Sequence, residues 1–285
     1  MSYDYMIIDA KNNLYRAIYA GLSESYPDPP KSSPITIFFR FINYYCQRFK
    51  PTNVLFFWDD KKEKIWRRKI YPEYKEGRSL SQGKYDPKLV ENSLHNGEII
   101  IKEIIKELGC RNFQGERQEA DDLIYAFCKV YHGKKMIIIS SDGDFKQIIY
   151  HFKHIDLFSP NNQEKKMYEV ENEDPIEIKC LMGENGDNIP GYERIGPIKA
   201  KLITHDVNKK KELFEKFGEE IYWRNKVLID LSICPFLLLN MKSIHNTMME
   251  NIEVNEKSLR DIIQKYKVKG MILEVPNLMQ SFRRR

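Results

Sequence analysis

Five carboxylates fall within the stretch 118–144: Glu119, Asp121 and Asp122 in QEADD, then Asp142 and Asp144 in SSDGDF. Like charges this close repel unless cations lie between them. A cluster offering only carboxylate oxygen suits Mg2+ or Mn2+ rather than zinc. Each half also has a simpler reading, since acids in a first helical turn complement the helix dipole and Asp-Gly-Asp is a common turn. The metal reading therefore depends on whether other parts of the chain send acids to the same place.

The elements around these acids make that convergence plausible. QEADDLIYAFCKVY opens a helix on its three acids, a turn follows at His132–Gly133, and the aliphatic run 136–139 reads as a buried strand. In an open α/β sheet the residues just beyond a strand's carboxyl end border the ligand crevice. The same order recurs twice upstream. The apolar run 3–8 leads into Asp9, which also suits the cap of the helix AKNNLYRAIYA. NVLFFW, at 53–58, leads into Asp59 and Asp60.

Between these strands, 23–34 is a proline-rich loop and 35–49 an amphipathic helix with Ile37, Phe38, Phe41, Ile42 and Tyr45 on its apolar side. After Asp60 the chain is densely basic, KKEKIWRRKIYPEYKEGR, with Trp66, Tyr71 and Tyr74 interleaved. Alternating cations and aromatics suit a phosphate backbone and unstacked bases; a solvated charged helix, broken at Pro72, is the plainer alternative. Residues 79–96 lack periodicity and read as a mobile excursion. A helix ending at Gly109, a short strand at CRNF, and an edge hairpin from HIDLFS and KKMYEV complete the α/β part. From Pro175 the chain turns helical. Gly183, Gly186, Gly191 and Gly196 punctuate two short helices in the pattern of a helix–hairpin–helix, which offers backbone N–H groups to a DNA phosphate. Glu184 and Asp187 open that loop.

Composition narrows the function classes. With 285 residues and 17 Tyr, 15 Phe and 3 Trp, the chain can bury a large core. Five scattered cysteines form no C-x-x-C pair and read as reduced core thiols. No apolar run approaches a membrane span and no signal peptide is evident, so a soluble cytoplasmic protein is expected. The net charge is +5; with the acids drawn into one cluster, the remaining surface is more basic and fits a polyanion partner. The P-loop and dinucleotide fingerprints are absent, which sets aside nucleotide-dependent enzymes. No triad of Ser, His or Cys stands out.

Five blocks together resemble the 5′-nuclease family of flap endonucleases and 5′–3′ exonucleases, most closely its bacteriophage members: IIDAKNNLYRA, WRRKIYPEYKEGR, EADD, SSDGDF and MGENGDNIPGYERIGPIKA. They occur in family order and span 7–200. The resemblance implies an α/β fold, a PIN-like nuclease core over 1–170 with a mostly parallel sheet flanked by helices and a helical arch at about 72–97. A helical region, 171–285, would carry the DNA-binding helix–hairpin–helix at about 180–205.

Carried over, the resemblance implies metal ligands Asp9, Asp59, Glu119, Asp121, Asp122, Asp142, Asp144, Glu184 and Asp187 for two or more Mg2+ ions, with Mn2+ able to substitute. Lys75 and Arg78 would act on the scissile phosphate, with Asp122 and Asp142 central to catalysis. Arg67, Tyr74, Lys75, Arg78, Lys179, Gly191, Gly196 and Lys199 would contact DNA. Three positions depart from the pattern: Glu184 replaces an Asp, Asp59 and Asp60 both fit the second-strand acid with Asp59 preferred, and Ile198 takes a lysine position, moving the charge to Lys199. The implied activity is metal-dependent hydrolysis near single-strand/duplex junctions of DNA, with RNA–DNA hybrids as further substrates. The chain would act as a monomer, without membrane contact, in the cytoplasm (a host's, for a phage protein), with a single-stranded-DNA-binding protein as a further partner. A PIN-type ribonuclease would lack the hairpin block, and a non-catalytic DNA-binding protein would show neutral residues among the acids.

Overall fold

Short runs of β-branched and aromatic residues form the strands of one sheet: β1 (Tyr5–Asp9), β2 (Asn53–Trp58), β3 (Arg111–Gln114), β4 (Met136–Ile139), β5 (Ile155–Ser159) and β6 (Lys166–Met167). Their order is β3-β2-β1-β4-β5-β6; the first five are parallel and β6 pairs antiparallel to β5. The computed structural model describes residues 2–25, 32–77, 85–160, 166–169 and 172–283.

Successive strand residues face opposite sides, and both sides are buried. Met6, Ile8, Val54, Phe56 and Ile137 join one core cluster; Ile7, Leu55, Phe57, Met136 and Ile138 join the other. This explains why the strands read as continuous apolar runs rather than alternating ones. On the first face lie α1 (Ala10–Ser25), α2 (Pro34–Phe49) and, after the four-residue α3 (Arg67–Ile70), α4 (Pro87–Glu107). On the second lie α5 (Ala120–Val130) and α6 (Lys146–His151).

Residues 87–96, expected to belong to a mobile excursion, are instead the first turns of the 21-residue α4. Asp86 caps it by accepting from the Lys88 amide, Pro87 starts it, and Val90 and Leu94 are buried beneath it. Gly97 lets it approach α1, since an added Cβ would stand 3.3 Å from Leu14. Of the rest of the expected arch, 78–84 lies outside the described residues.

Beyond the sheet come α7 (Pro175–Met182), the two-residue strands β7 (Gly183–Glu184) and β8 (Ile189–Pro190), α8 (Pro197–Thr204), α9 (Val207–Phe217) and α10 (Glu220–Ile229). These helices share a small core of their own around Cys180, Leu181, Tyr192 and Tyr222. The last helices, α11 (Leu237–Met249), α12 (Glu256–Lys265) and α13 (Val275–Arg283), return to the sheet. Ile244 of α11 joins the second face; Leu259 of α12 and Leu278 of α13 join the first. All five cysteines are buried and none forms a disulfide among the described residues, where no helix is long and apolar enough to cross a membrane.

Candidate active site

The sheet order reverses at β1: the chain steps to β2 and β3 on one side and to β4 and β5 on the other. Ligand crevices form at such a switch point, at the carboxyl ends of the strands. The acids that end β1, β2 and β4 therefore arrive side by side. Asp9, Asp59 and Asp142 line a single open cavity of about 550 Å³, together with Glu119 and Asp121 from the start of α5.

Each carboxylate is held by a specific local device. Asp9 is buried and accepts from Ser140 Oγ at 2.7 Å and from the Asn12 amide at 3.3 Å. Asn13 ties the two strand ends together, its side chain donating to the carbonyls of Asp9 and Ile139 at 2.8 and 3.0 Å. Asp59 accepts from the Ala120 amide at 2.8 Å and meets Lys11 Nζ at 3.5 Å. Asp60 also borders the cavity but turns to the Arg117 amide, 2.8 Å away. Asp142 folds back to accept the Asp144 amide at 2.9 Å.

Asp144, Glu184 and Asp187 stand nearby with cations among them. Lys179 Nζ donates to Asp144 and lies 2.5 Å from Glu184. Lys75 Nζ donates to Glu119 and lies 3.6 Å from Asp187. The Tyr74 hydroxyl sits between Glu119 (2.8 Å) and Asp187 (3.0 Å). The loop is anchored where the Lys75 amide donates to the Asp187 carbonyl at 2.8 Å.

The electrostatics divide these acids. Burial, and then the Asp59 charge, push Asp9 up to about 7; burial and Asp144 push Asp142 up to about 6. Burial and the Glu119 charge likewise raise Asp121. Burial opposes ionisation of Glu119 too, but Lys75 and Arg67 outweigh it and hold the group down at about 2. Against the same opposition, Lys179 lowers Asp144.

Three expectations need correction. Arg67 does not present itself to DNA: it is 1% exposed, and it donates to both oxygens of Asp122 at 2.8–2.9 Å, to Glu119 at 3.0 Å and to the Leu228 carbonyl at 2.8 Å. Asp122 is correspondingly turned away from the cavity, fully buried by that fork and by Trp66 Nε1 at 3.0 Å. Tyr74 is buried, with its ring among Ile65, Ile189 and Leu228, so no face is free to stack on a base. Gly191 is a packing glycine, since a Cβ there would stand 2.1 Å from the Met182 carbonyl carbon. Gly196 and Lys199 are exposed at the start of α8, and Lys179 faces acids rather than open surface. Arg78 lies outside the described residues. Sequence reasoning missed Ser140, Asn12 and Asn13, which aim the strand-end acids; the Asn-Asn pair one turn after Asp9 was the available signal.

Among the described residues, no three acidic, His or Cys side chains are already grouped as a ready metal site; the ammonium groups of Lys75 and Lys179 lie between the carboxylates. The donor set nevertheless fits hard divalent cations. It is all oxygen, and its carboxylates outnumber the lysines among them. Two of its members, Asp9 and Asp142, are driven toward neutrality by burial and then by a neighbouring carboxylate, Asp59 for the first and Asp144 for the second.

Fold and site define a class, the parallel α/β domain edged with buried acids. The chain belongs, within that class, to the 5′-3′ exonuclease family, whose N-terminal resolvase-like domain model matches residues 4–177. It is 31% identical over 160 residues to the flap endonuclease Xni of Shewanella denitrificans, covering 53% of this chain and 58% of that one. It is 22% identical to DNA polymerase I of Lactococcus lactis subsp. cremoris, covering 93% of this chain but only 32% of the polymerase. The chain thus spans about a third of that polymerase's length and little more than half of Xni's. Its fold is that of the bacteriophage T5 5′-exonuclease. A structure of that enzyme with bound zinc ions superposes with TM-score 0.68 at 20% identity, covering 91% and 98% of the two chains. A T5 flap endonuclease complex with DNA and metal ions gives 0.66 at 21% identity, covering 92% and 99%.

Proposed function

We propose that the chain is a divalent-metal-dependent 5′ nuclease, acting as flap endonuclease and 5′–3′ exonuclease on phosphodiesters near single-strand/duplex junctions in DNA. The observation that carries this reading is the arrival of Asp9, Asp59, Glu119, Asp121 and Asp142 at one cavity on the carboxyl edge of the sheet. Family membership and the DNA and metal ions in the T5 complex support it. Two Mg2+ ions, or Mn2+ in their place, would supply a water made nucleophilic at neutral pH and relief of charge on the departing oxygen.

Within the chain, Asp9, Glu119 and Asp142 are the residues to hold the first ion, and Asp144, Glu184 and Asp187 the second. Asp122 acts one layer behind, fixing Arg67 and the start of α5. Lys75, paired with Glu119 here, would with ions bound be the residue to stabilise charge on the scissile phosphate. The hairpin 183–196 and the exposed start of α8, with Lys199, hold the duplex backbone. RNA paired to DNA is accepted as in primer removal. The protein works as a monomer in the cytoplasm, alongside a single-stranded-DNA-binding protein.

The test is cleavage of a labelled 5′-flap duplex, with blunt, nicked, RNA–DNA and RNA-only substrates beside it, in Mg2+ and in EDTA. The Asp9→Asn, Asp142→Asn double variant is expected to lose at least about a thousandfold in rate, as removal of metal-held transition-state stabilisation requires. Cleavage within tenfold of wild type would refute the site. Preference for RNA alone would favour a PIN-type ribonuclease, and binding without cleavage by the wild type a non-catalytic role.

A further inference from the structure

Arg67 and Arg68 are neighbours of identical chemistry with opposite fates. Arg67 spends its guanidinium on Asp122, Glu119 and a backbone carbonyl. Arg68 is half-buried, lines the same cavity as the acids, and makes no hydrogen bond or ion pair through its side chain among the described residues. Its Nε is the one buried side-chain nitrogen or oxygen among those residues without a partner. A buried donor left unpaired is costly and rare, so it calls for an explanation such as a ligand. Acids are at hand in the lining, Asp60, Glu63 and Glu91, yet none is within ion-pair distance. Lys11, from the first turn of α1, borders the cavity too and reaches Asp59 only at 3.5 Å.

We propose that Arg68, together with Lys11, forms a subsite for a second, non-scissile phosphate of the substrate strand. Three considerations converge on a phosphate. The planar guanidinium fork matches phosphate oxygens in two-pronged fashion, which an ammonium does not. A cavity of about 550 Å³ has room for more than the one diester at the acids. A free anion is disfavoured beside so many carboxylates, whereas a phosphate tethered to a diester already held there arrives without that penalty. Arg68 thus sets strand position; the cleavage chemistry belongs to the acids and Lys75. This inference rests on the nuclease reading above.

The test uses the full chain and a fluorescein-labelled 5′-flap duplex, with binding read by anisotropy in Ca2+ and cleavage in Mg2+. Arg68→Gln is expected to weaken binding on the order of tenfold, the value of one charge-assisted contact, and to flatten the slope of log Kd against log salt by about 0.7–0.9. KM should rise more than kcat falls. Arg68→Lys should restore the salt slope but not the full affinity. A scan of single neutral methylphosphonates along the strand should find one position, other than the scissile one, that weakens wild type and has no further effect on Arg68→Gln. Wild-type affinity and slope in a folded Arg68→Gln would overturn the inference, as would a wild-type scan in which only the scissile position matters. If Arg68→Gln does not fold, the wild-type scan decides alone. A wild type that neither binds nor cuts the flap overturns the nuclease reading and this subsite with it.

Discussion

Asp9 and Glu119 share a cavity and a functional group, yet their proton affinities move in opposite directions because only Glu119 has a lysine and an arginine against it. Asp9 is raised first by its burial and then by Asp59 and Asp142, with hydrogen bonds from Ser140 and Asn12 too weak to offset them. Between its ordinary 3.8 and its folded value of about 7, the folded chain keeps a proton that the unfolded chain has lost. Stability from this group therefore falls as pH rises from about 4 to 7. Asp9→Asn keeps an oxygen for Ser140 and removes the charge. In EDTA it should be more stable than wild type at pH 8, by at most about 4 kcal/mol for a shift near three units, and no more stable at pH 4. Urea unfolding at the two pH values measures this; an equal difference at both would show that Asp9 is not a buried, repelled carboxylate. At this scale the sequence was legible in part. Residue type and position after a strand located Asp9, Asp59 and Asp142, because strand ends are set by local pattern. The roles of Arg67, Asp122 and Tyr74 were not legible. Which way a side chain faces on a short helix or turn depends on α10 and β8, more than a hundred residues away.

Elements were legible wherever one pattern governed them, a continuous apolar run in β1, β2 and β4 and a helical period in α5. Helix α4 reads too short in sequence because its first half is polar on the outside and the only large apolar side chains it buries are Val90 and Leu94, so the apolar stripe becomes plain only from Ile99 onward. The cap at Asp86–Pro87 was the overlooked signal. The glycines after α7 look alike in sequence, and the structure separates them. Gly183 has φ +76°, and Gly191 packs on the backbone of Met182 and Gly183, so the two allow β7 and β8 to cross at close range. That crossing carries Glu184 and Asp187 to the acid cluster. A Cβ added at Gly196, by contrast, would meet nothing within 4 Å. Gly191→Ala must move backbone, and a loss of about 2–4 kcal/mol is expected with a matching fall in activity, in the range of severe overpacking. Gly196→Ala should cost no more than about 1 kcal/mol, the scale of a poorer helix cap. Thermal melts of the pair check this, and equal destabilisation would contradict the packing assigned to Gly191.

At the scale of the whole molecule, a boundary near residue 170 divides sequence character without dividing the core. The segment 175–222 has a cluster of its own, but the chain beyond it supplies both faces of the sheet: Leu231 and Ile244 on one, Leu259, Ile263, Met271, Val275, Leu278 and Phe282 on the other. Arg67 fastens the same join from the core side through the Leu228 carbonyl. Sequence could not reveal this, because helices α11–α13 carry ordinary amphipathic patterns that say nothing of which partner they cover. Each such side chain contributes about 1.5–3 kcal/mol when buried, so losing eight removes about 12–24 kcal/mol, as much as or more than the roughly 5–15 kcal/mol by which a folded protein of this kind is stable. A fragment ending at residue 230 is therefore expected to lose near-ultraviolet circular dichroism and cooperative thermal unfolding, while the full chain unfolds in one transition. A fragment of residues 1–230, or of 1–170, that melted cooperatively would show the α/β part to be autonomous. The acid cluster would then owe nothing to the last helices. The contacts around the cluster point the other way: α5, which Glu119 caps, packs in one core cluster with Leu237, Met241 and Ile244 of α11.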